Sequence, residues 1–182
     1  GFRVLVVEPR YVRWAPSAHE YAEVERAAAL IGRTTTAMQI WDSLHALRWS
    51  LSVLQGPPES VSVYGREAAA VVALYVGAIE HRIDRVIVDR PPASHLDGPP
   101  ILSVLRHTDI PEIAAMVAPR DLVFLQDPDA AFSVAKATYR IVGRESAMRT
   151  ASSLVEAVTT PFARDTSDER DPITEEPCPA SV

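Results

Sequence analysis

Short apolar runs alternate with longer segments of helical periodicity along this chain. The runs occupy residues 2–8, 61–64, 85–88 and 122–125, and their length and β-branched composition are typical of strands buried on both faces of a parallel sheet. Alanine-rich or amphipathic segments predict helices over residues 20–31, 34–54, 66–75, 111–117 and 130–142. Strands that alternate with helices predict an α/β fold, doubly wound around a mostly parallel sheet.

Turn and cap residues set the limits of these elements. Gly32 and Gly143 end the helices that precede them, and the threonines at 34–36 supply N-caps for the next helix. Residues 152–158 fit a short helix or a strand equally well. Residues from 161 onward are rich in Asp, Glu and Pro and nearly devoid of apolar side chains. We therefore predict a domain over 1–160 and a disordered acidic tail over 161–182.

The net charge and the cysteine content argue against several classes of binding partner and structural site. The net charge of −6 gives no electrostatic support to nucleic-acid binding. Cys178 is the single cysteine, so an internal disulfide and a cysteine zinc cage are both excluded. No apolar run reaches the roughly 20 residues that a membrane span requires. The expected partners therefore include neither nucleic acid nor a membrane.

The central segment at residues 61–75 predicts a strand, a sharp turn at Gly65 and an apolar helix. Such a turn lies at the carboxyl edge of a parallel sheet, where open α/β folds place their chemistry. The run GREAA at 65–69 has the spacing of the nucleophile motif G-x-S-x-G, with Glu67 at the position of the Ser. Glu67 is either a carboxylate nucleophile or base, or a solvated charge that the helix dipole favours. The turn lacks both the dinucleotide and the P-loop glycine patterns.

Three further segments resemble the α/β-hydrolase superfamily, in particular its bacterial acetylxylan-esterase and dienelactone-hydrolase branch. They are VLVVEPR at 4–10, GR at 32–33 followed by MQIWDSLHAL at 38–47, and PEIAAMVAPR at 111–120. The resemblance implies a triad of a Ser, an acid after the seventh strand and a His after the eighth. By position these are Glu67, then Asp129 or Asp127 one step earlier, and a histidine that the chain does not have beyond His107.

These departures predict a catalytically degenerate domain that acts as a structural module or binds a small ester or carbohydrate, without a cofactor. The alternative is a fragment of an ester hydrolase whose other parts lie outside this chain. The resemblance also implies a further strand between residues 2–8 and 61–64, and half of the oxyanion hole upstream of Gly1. We therefore expect the C-terminal part of a longer protein, or a shortened relative with a re-closed sheet. A homo-oligomer is a further possibility, and the branch favours an extracytoplasmic location.

Other polar and aromatic residues allow competing interpretations. Two H-x-D pairs, His95 with Asp97 and His107 with Asp109, suggest a metal site, or else a cap at Asp109 for the helix that follows. Asp127 and Asp129 similarly fit caps for the helix from residue 130. Trp41 and Trp49 lie eight residues apart on one predicted helix, with His45 between them. For all three we predict core packing or a boundary position, in preference to ligand stacking.

Overall fold

The computed structural model of the chain describes residues 2–12, 17–53 and 58–163. Its strands are β1 (Ser62–Arg66), β2 (Arg85–Asp89), β3 (Asp121–Phe124) and β4 (Met148–Thr150). Its α-helices are α1 (Ala18–Leu30), α2 (Thr35–Val53), α3 (Ala68–Ile79), α4 (Ile110–Ala115), α5 (Ser133–Ile141) and α6 (Leu154–Thr159). The strands form one sheet in the order β1-β2-β3-β4, and every neighbouring pair is parallel. The predicted α/β class with a parallel sheet is confirmed.

The two faces of this sheet are covered by different helices. Val86 and Val88 of β2 lie in the larger core, together with residues of α2, α3, α4 and α5. Ile87, between them, belongs to a smaller cluster on the opposite face, where Ala157 of α6 packs. Because side chains alternate along a strand, a run of β-branched residues is buried in both layers at once. The sheet is therefore doubly wound, as its apolar runs predict.

Helix α3 is the centre of the larger core. Its residues from Ala70 to Leu74 are all buried, and it packs against β1, β2, α2 and α4. Gly77 allows this close approach, because a Cβ at that position would overlap the side chain of Val86. No helix in the described ranges is long and apolar enough to cross a membrane.

A buried ion pair closes the amino-terminal end of the sheet. Arg85 begins β2 and Asp121 begins β3, and their side chains are 0% and 2% exposed. The Arg85 guanidinium donates to Asp121 at 2.9 and 3.1 Å and to the carbonyls of Ala157 and Thr160 at 2.7 and 2.8 Å. Its carbon lies 4.0 Å from the ring centre of Phe162. The contacts of Arg85 thus attach the end of α6 and the residues after it to the amino-terminal end of the sheet.

The prediction of a strand at residues 2–8 is wrong for this structure. The segment forms no strand, and its apolar side chains face solvent, with Val4 84% and Val6 78% exposed. The cause is the absence of a neighbour: among the described residues no strand pairs with the outer edge of β1. A β-prone sequence without a partner cannot form the ladder hydrogen bonds that hold a strand.

The prediction that Trp41 and Trp49 pack in the core is also wrong. They are 60% and 63% exposed, while Ile40 and Leu44 supply the buried face of α2. His45 is exposed too, and its ring lies 4.1 Å from that of Trp41. A helix that covers a core on one side only cannot bury both the leucine row and the tryptophan row.

The sequence pattern does not predict two short elements near the end of the chain. Residues 148–150 form β4, which three residues of mixed polarity do not predict. Residues Leu154–Thr159 form a helix, which decides the ambiguity over 152–158. Of the predicted tail, residues 161–163 lie against the fold, where Phe162 meets Arg85. Residues 164–182 lie outside the described residues, so their disorder stays a prediction.

Candidate functional site

The turn after β1 holds Glu67 in a strained backbone conformation. Glu67 has φ 53° and ψ −121°, a region that side-chain-bearing residues rarely adopt. The surrounding backbone holds it there, because its N–H donates to the carbonyl of Asp89 at 2.8 Å and its carbonyl accepts from Ala70 N–H at 3.0 Å. Gly65 is required two residues earlier, since a Cβ there would overlap the carbonyl oxygen of Ala69. The structure thus has a sharp strand-to-helix turn with Glu67 at its apex.

The Glu67 side chain is exposed at the apex and paired with arginine. Its Oε1 lies 2.6 Å from the Arg90 guanidinium and 3.8 Å from that of Arg66. Asp89, at the end of β2, lies 3.3 Å from Arg66 and 3.6 Å from Arg90. Two carboxylates and two guanidiniums thus neutralise each other at the carboxyl ends of β1 and β2. The Glu67 carboxylate is therefore engaged by arginine, and the apex carries no hydroxyl nucleophile.

A shallow pocket continues from this cluster towards the end of β3. It encloses about 270 Å³ and includes Arg90, Gln126, Asp127 and Asp129 in its lining. Asp129 is engaged locally, since its Oδ1 accepts from Ala131 N–H at 2.8 Å and caps the 3₁₀ turn Ala130–Phe132. The cap predicted for Asp129 is therefore present. The structure brings Asp127 and Asp129 into one pocket beside Arg90, which in turn contacts Glu67.

The position that follows β4 carries no basic side chain. Ala151 donates its N–H to the carbonyl of Phe124 at 2.8 Å, and Ser152 is held by the carboxylate of Glu156 through its N–H at 2.8 Å. All five histidines precede residue 108 in sequence. Neither Asp127 nor Asp129 therefore has a histidine after β4 to orient, which is the position that the family's triad uses.

The buried histidine, His95, belongs to a separate hydrogen-bonded cluster. Its Nδ1 donates to the carbonyl of Pro99 at 2.7 Å, and its Nε2 lies 3.0 Å from the Tyr75 hydroxyl. Burial raises the pKa of Tyr75 to about 12, with a smaller contribution from the charge of Asp109. Both ring nitrogens of His95 are thus occupied by protein groups.

Asp109 accepts hydrogen bonds from backbone N–H groups beside this cluster. Its carboxylate accepts from the N–H groups of His95 and Ile110, both at 2.8 Å, and forms a capping box with Glu112 at the start of α4. Burial acts to raise the pKa of Asp109, but hydrogen bonds, including one from Ser94, outweigh it and lower the pKa. Within the described ranges no three His, Cys, Asp or Glu side chains are grouped as metal ligands would be. Of these two pairs, Asp109 caps α4 and His95 hydrogen-bonds to Pro99 and Tyr75.

Sequence reasoning missed Arg90 and Asp89. Both directly follow or end the apolar run of β2, so their position at the carboxyl edge of a strand was a usable signal. Arg90 also has a positive φ of 51°, which no sequence pattern indicated.

Two of the segments that carry the family resemblance meet in the structure. The Arg10 guanidinium donates to both carboxylate oxygens of Asp42 on α2, at 2.7 and 2.5 Å. This bidentate pair lowers the pKa of Asp42 through its hydrogen bonds. The loop at residues 9–12 is thereby attached to α2.

Comparison with known proteins rests on structure alone. No protein-family model matches the chain, and no curated protein matches it in sequence. Among solved structures, a candidate acetyl xylan esterase from Bacteroides fragilis NCTC 9343 superposes with a TM-score of 0.56 at 17% identity, over 78% of this chain and 42% of that one. A methylesterase superposes with a TM-score of 0.55 at 18% identity, over 64% of this chain and 30% of that one. The chain thus spans less than half the length of these proteins, and its α/β fold is similar to theirs over the parts that superpose.

Proposed function

We propose that this chain is a non-hydrolysing relative of esterases that binds a small ester or carbohydrate at the carboxyl edge of its sheet. The observation that carries the proposal is Glu67, which occupies the apex of the strained turn in an ion pair with Arg90 at 2.6 Å. A hydrolase of this kind needs a nucleophile at that apex and a base beside it. Here the group in contact with the apex side chain is the Arg90 guanidinium, which cannot accept a proton.

The pocket beside the turn suits a hydroxyl-rich ligand. Arg90 and Gln126 offer N–H donors, and Asp127 offers carboxylate acceptors on the same wall. Such mixed donors and acceptors are the groups that recognise sugar hydroxyls and ester carbonyls. The names of the two solved structures, an acetyl xylan esterase and a methylesterase, support the same ligand classes.

Two assays test the absence of hydrolysis. The 182-residue chain should cleave p-nitrophenyl acetate and acetylated xylan no faster than buffer does. Glu67→Ser should remain inactive, because a serine without a histidine partner has no base. Robust esterase activity after that single substitution would contradict the proposal.

Ligand binding is tested by titration calorimetry with acetylated and plain xylo-oligosaccharides. Arg90→Ala and Asp127→Ala should each abolish or weaken binding. Arg26→Ala on exposed α1 is the matched control and should leave binding unchanged. Absence of heat with every oligosaccharide, or equal affinity in all variants, would remove the pocket as the binding site.

The alternative function is that of one part of a working ester hydrolase. The observation in its favour is length, since the chain matches only 42% and 30% of the two solved esterases. The test is to read the gene upstream of the Gly1 codon and to assay the product of the extended reading frame. Esterase activity in that product that Glu67→Ala leaves intact would assign catalysis to residues outside this chain. Activity that Glu67→Ala abolishes would assign it to the turn.

A further inference from the structure

The pocket at the carboxyl edge of the sheet carries more negative than positive charge. Asp127, Asp129 and Arg90 are the ionisable residues in its lining. The Asp127 side chain is exposed, and among the described residues no hydrogen bond or ion pair engages it. Asp129 caps the turn that follows it through Oδ1, but a hydrogen bond from a backbone N–H leaves its negative charge in place. Neither carboxylate is therefore neutralised by a cation in the described part of the chain.

The positive charge of Arg90 is already compensated by the neighbouring turn. Its guanidinium lies 2.6 Å from the Glu67 carboxylate and 3.6 Å from that of Asp89. The same two carboxylates lie 3.8 and 3.3 Å from Arg66, so this cluster is neutral as a whole. The cluster and the pocket together contain four carboxylates and two guanidiniums, which leaves a net charge of −2 at this edge of the sheet. An anionic ligand is repelled by that charge.

A ligand carboxylate gains little from Arg90, because it has to compete with Glu67. The Glu67 N–H bond to the Asp89 carbonyl at 2.8 Å holds the backbone of the turn, so the effective concentration of the Glu67 carboxylate beside Arg90 is high. A carboxylate has acceptors only, and Asp127 in its ionised form has no proton to donate to it. A hydroxyl group, by contrast, can donate to Asp127 and accept from the Gln126 amide.

We propose that this pocket accepts uncharged sugars and sugar esters and excludes sugars that carry a free carboxylate, with Asp127 as the main residue that sets this preference. The inference rests on the proposed function and names the ligand class of the same site. A uronic acid is then bound in its esterified form, and the free acid that remains after hydrolysis of that ester is not. The domain thereby distinguishes esterified from de-esterified polysaccharide.

Titration calorimetry of the 182-residue chain with three xylo-oligosaccharides tests the proposal. One is unbranched and reports whether the pocket binds sugar at all. The second carries a glucuronic acid branch, and the third carries the methyl ester of that branch, which has nearly the same size without the charge. The acid should bind about fivefold more weakly than its methyl ester, or weaker still, because one like charge about 4 Å away costs about 1 kcal/mol in water.

Ionic strength separates exclusion by charge from exclusion by shape. The difference in affinity between the acid and its methyl ester should shrink as salt is raised from about 0.01 M to about 1 M, because the screening length falls from about 30 Å to about 3 Å. A difference that stays the same at high salt would assign the preference to the shape of the pocket and would overturn the proposal.

A matched pair of substitutions tests the role of Asp127. Asp127→Asn keeps the size and one acceptor oxygen, and it should reduce the affinity difference between the acid and its methyl ester by about twofold or more. Glu145→Gln removes the same charge from the turn before β4, at the opposite end of the sheet, and should leave that difference unchanged.

The outcomes separate this inference from the proposed function. Equal affinity of the wild-type chain for the acid and the ester would overturn the inference and leave sugar binding in place. A difference that Asp127→Asn does not reduce would do the same. Absence of heat with all three oligosaccharides would remove the proposed binding function, and this inference with it.

Discussion

Replacement of Glu67 by glycine and by alanine measures how much strain the turn stores. A side chain held at φ 53°, ψ −121° costs about 1–3 kcal/mol, and glycine, which has no Cβ, avoids that cost. Glycine also gives the unfolded chain more conformational freedom, which reduces the stability gained from the relieved strain by about 0.5–1 kcal/mol. Both variants lose the ion pair with Arg90, which is worth about 0–1 kcal/mol because its side chains are 62% and 40% exposed. Glu67→Gly should therefore be more stable than Glu67→Ala by about 1 kcal/mol.

Urea unfolding followed by circular dichroism measures the difference. The control is the same pair of substitutions at Lys136, an exposed position of α5. There the order should reverse, with alanine more stable than glycine by about 1 kcal/mol, because the position is an ordinary helical one. If Glu67→Ala equals or exceeds Glu67→Gly in stability, the turn is not strained and the reasoning from its backbone fails.

Three further single substitutions, and one double substitution, test residues that stabilise the fold. Gly65→Ala should destabilise by about 1–3 kcal/mol or more in urea unfolding, since the new Cβ overlaps a backbone carbonyl; an unchanged midpoint would contradict the close approach. Arg85→Met should cost about 3–5 kcal/mol, because the buried Asp121 carboxylate loses both hydrogen bonds from Arg85 and, of its ion pairs, keeps only the longer one with Arg149 at 3.6 Å, and addition of Asp121→Leu should recover part of that loss. The hydrogen bond from Arg82 lowers the pKa of Glu80 to about 2, so its contribution of about 1–3 kcal/mol is present above pH ~4.5 and is lost as the pH falls towards 2. The stability gap between wild type and Glu80→Gln should accordingly narrow over that range, and a constant gap would show that Glu80 is not the group responsible.

The sheet was predictable because its signals are local. The runs at 85–88 and 122–125 place apolar side chains in both layers, whereas in the run at 61–64 the two valines pack against the larger core and Tyr64 is 43% exposed. The cap at Asp109 was predictable for a similar reason, since a carboxylate one residue before a Pro-containing first turn satisfies the free N–H groups there.

The wrong or missed predictions concern residues whose burial or pairing depends on which elements pack beside them. Residues 2–8 have the composition of a buried strand, yet composition cannot tell whether a neighbouring strand is present to pair with. Trp41 and Trp49 fit the helical period as well as Leu44 does, and only the position of α2 on α3 decides which row is covered. Arg90 was missed because its pairing with Glu67 needs the two strand ends side by side.

The strained turn is by itself no argument for catalysis. Its conformation follows from packing: Gly65 lets α3 approach β1 closely, and the Glu67 N–H is fixed by the Asp89 carbonyl, whatever side chain occupies the apex. The packing of α3 in the core holds that backbone, so the geometry does not depend on which side chain occupies the apex. What a serine would need is a base within hydrogen-bond reach, and the nearest charged group to the apex is the Arg90 guanidinium, which cannot accept a proton. The backbone is therefore similar in fold to the two esterase structures, while our proposal of binding without hydrolysis rests on the ion pair at the apex.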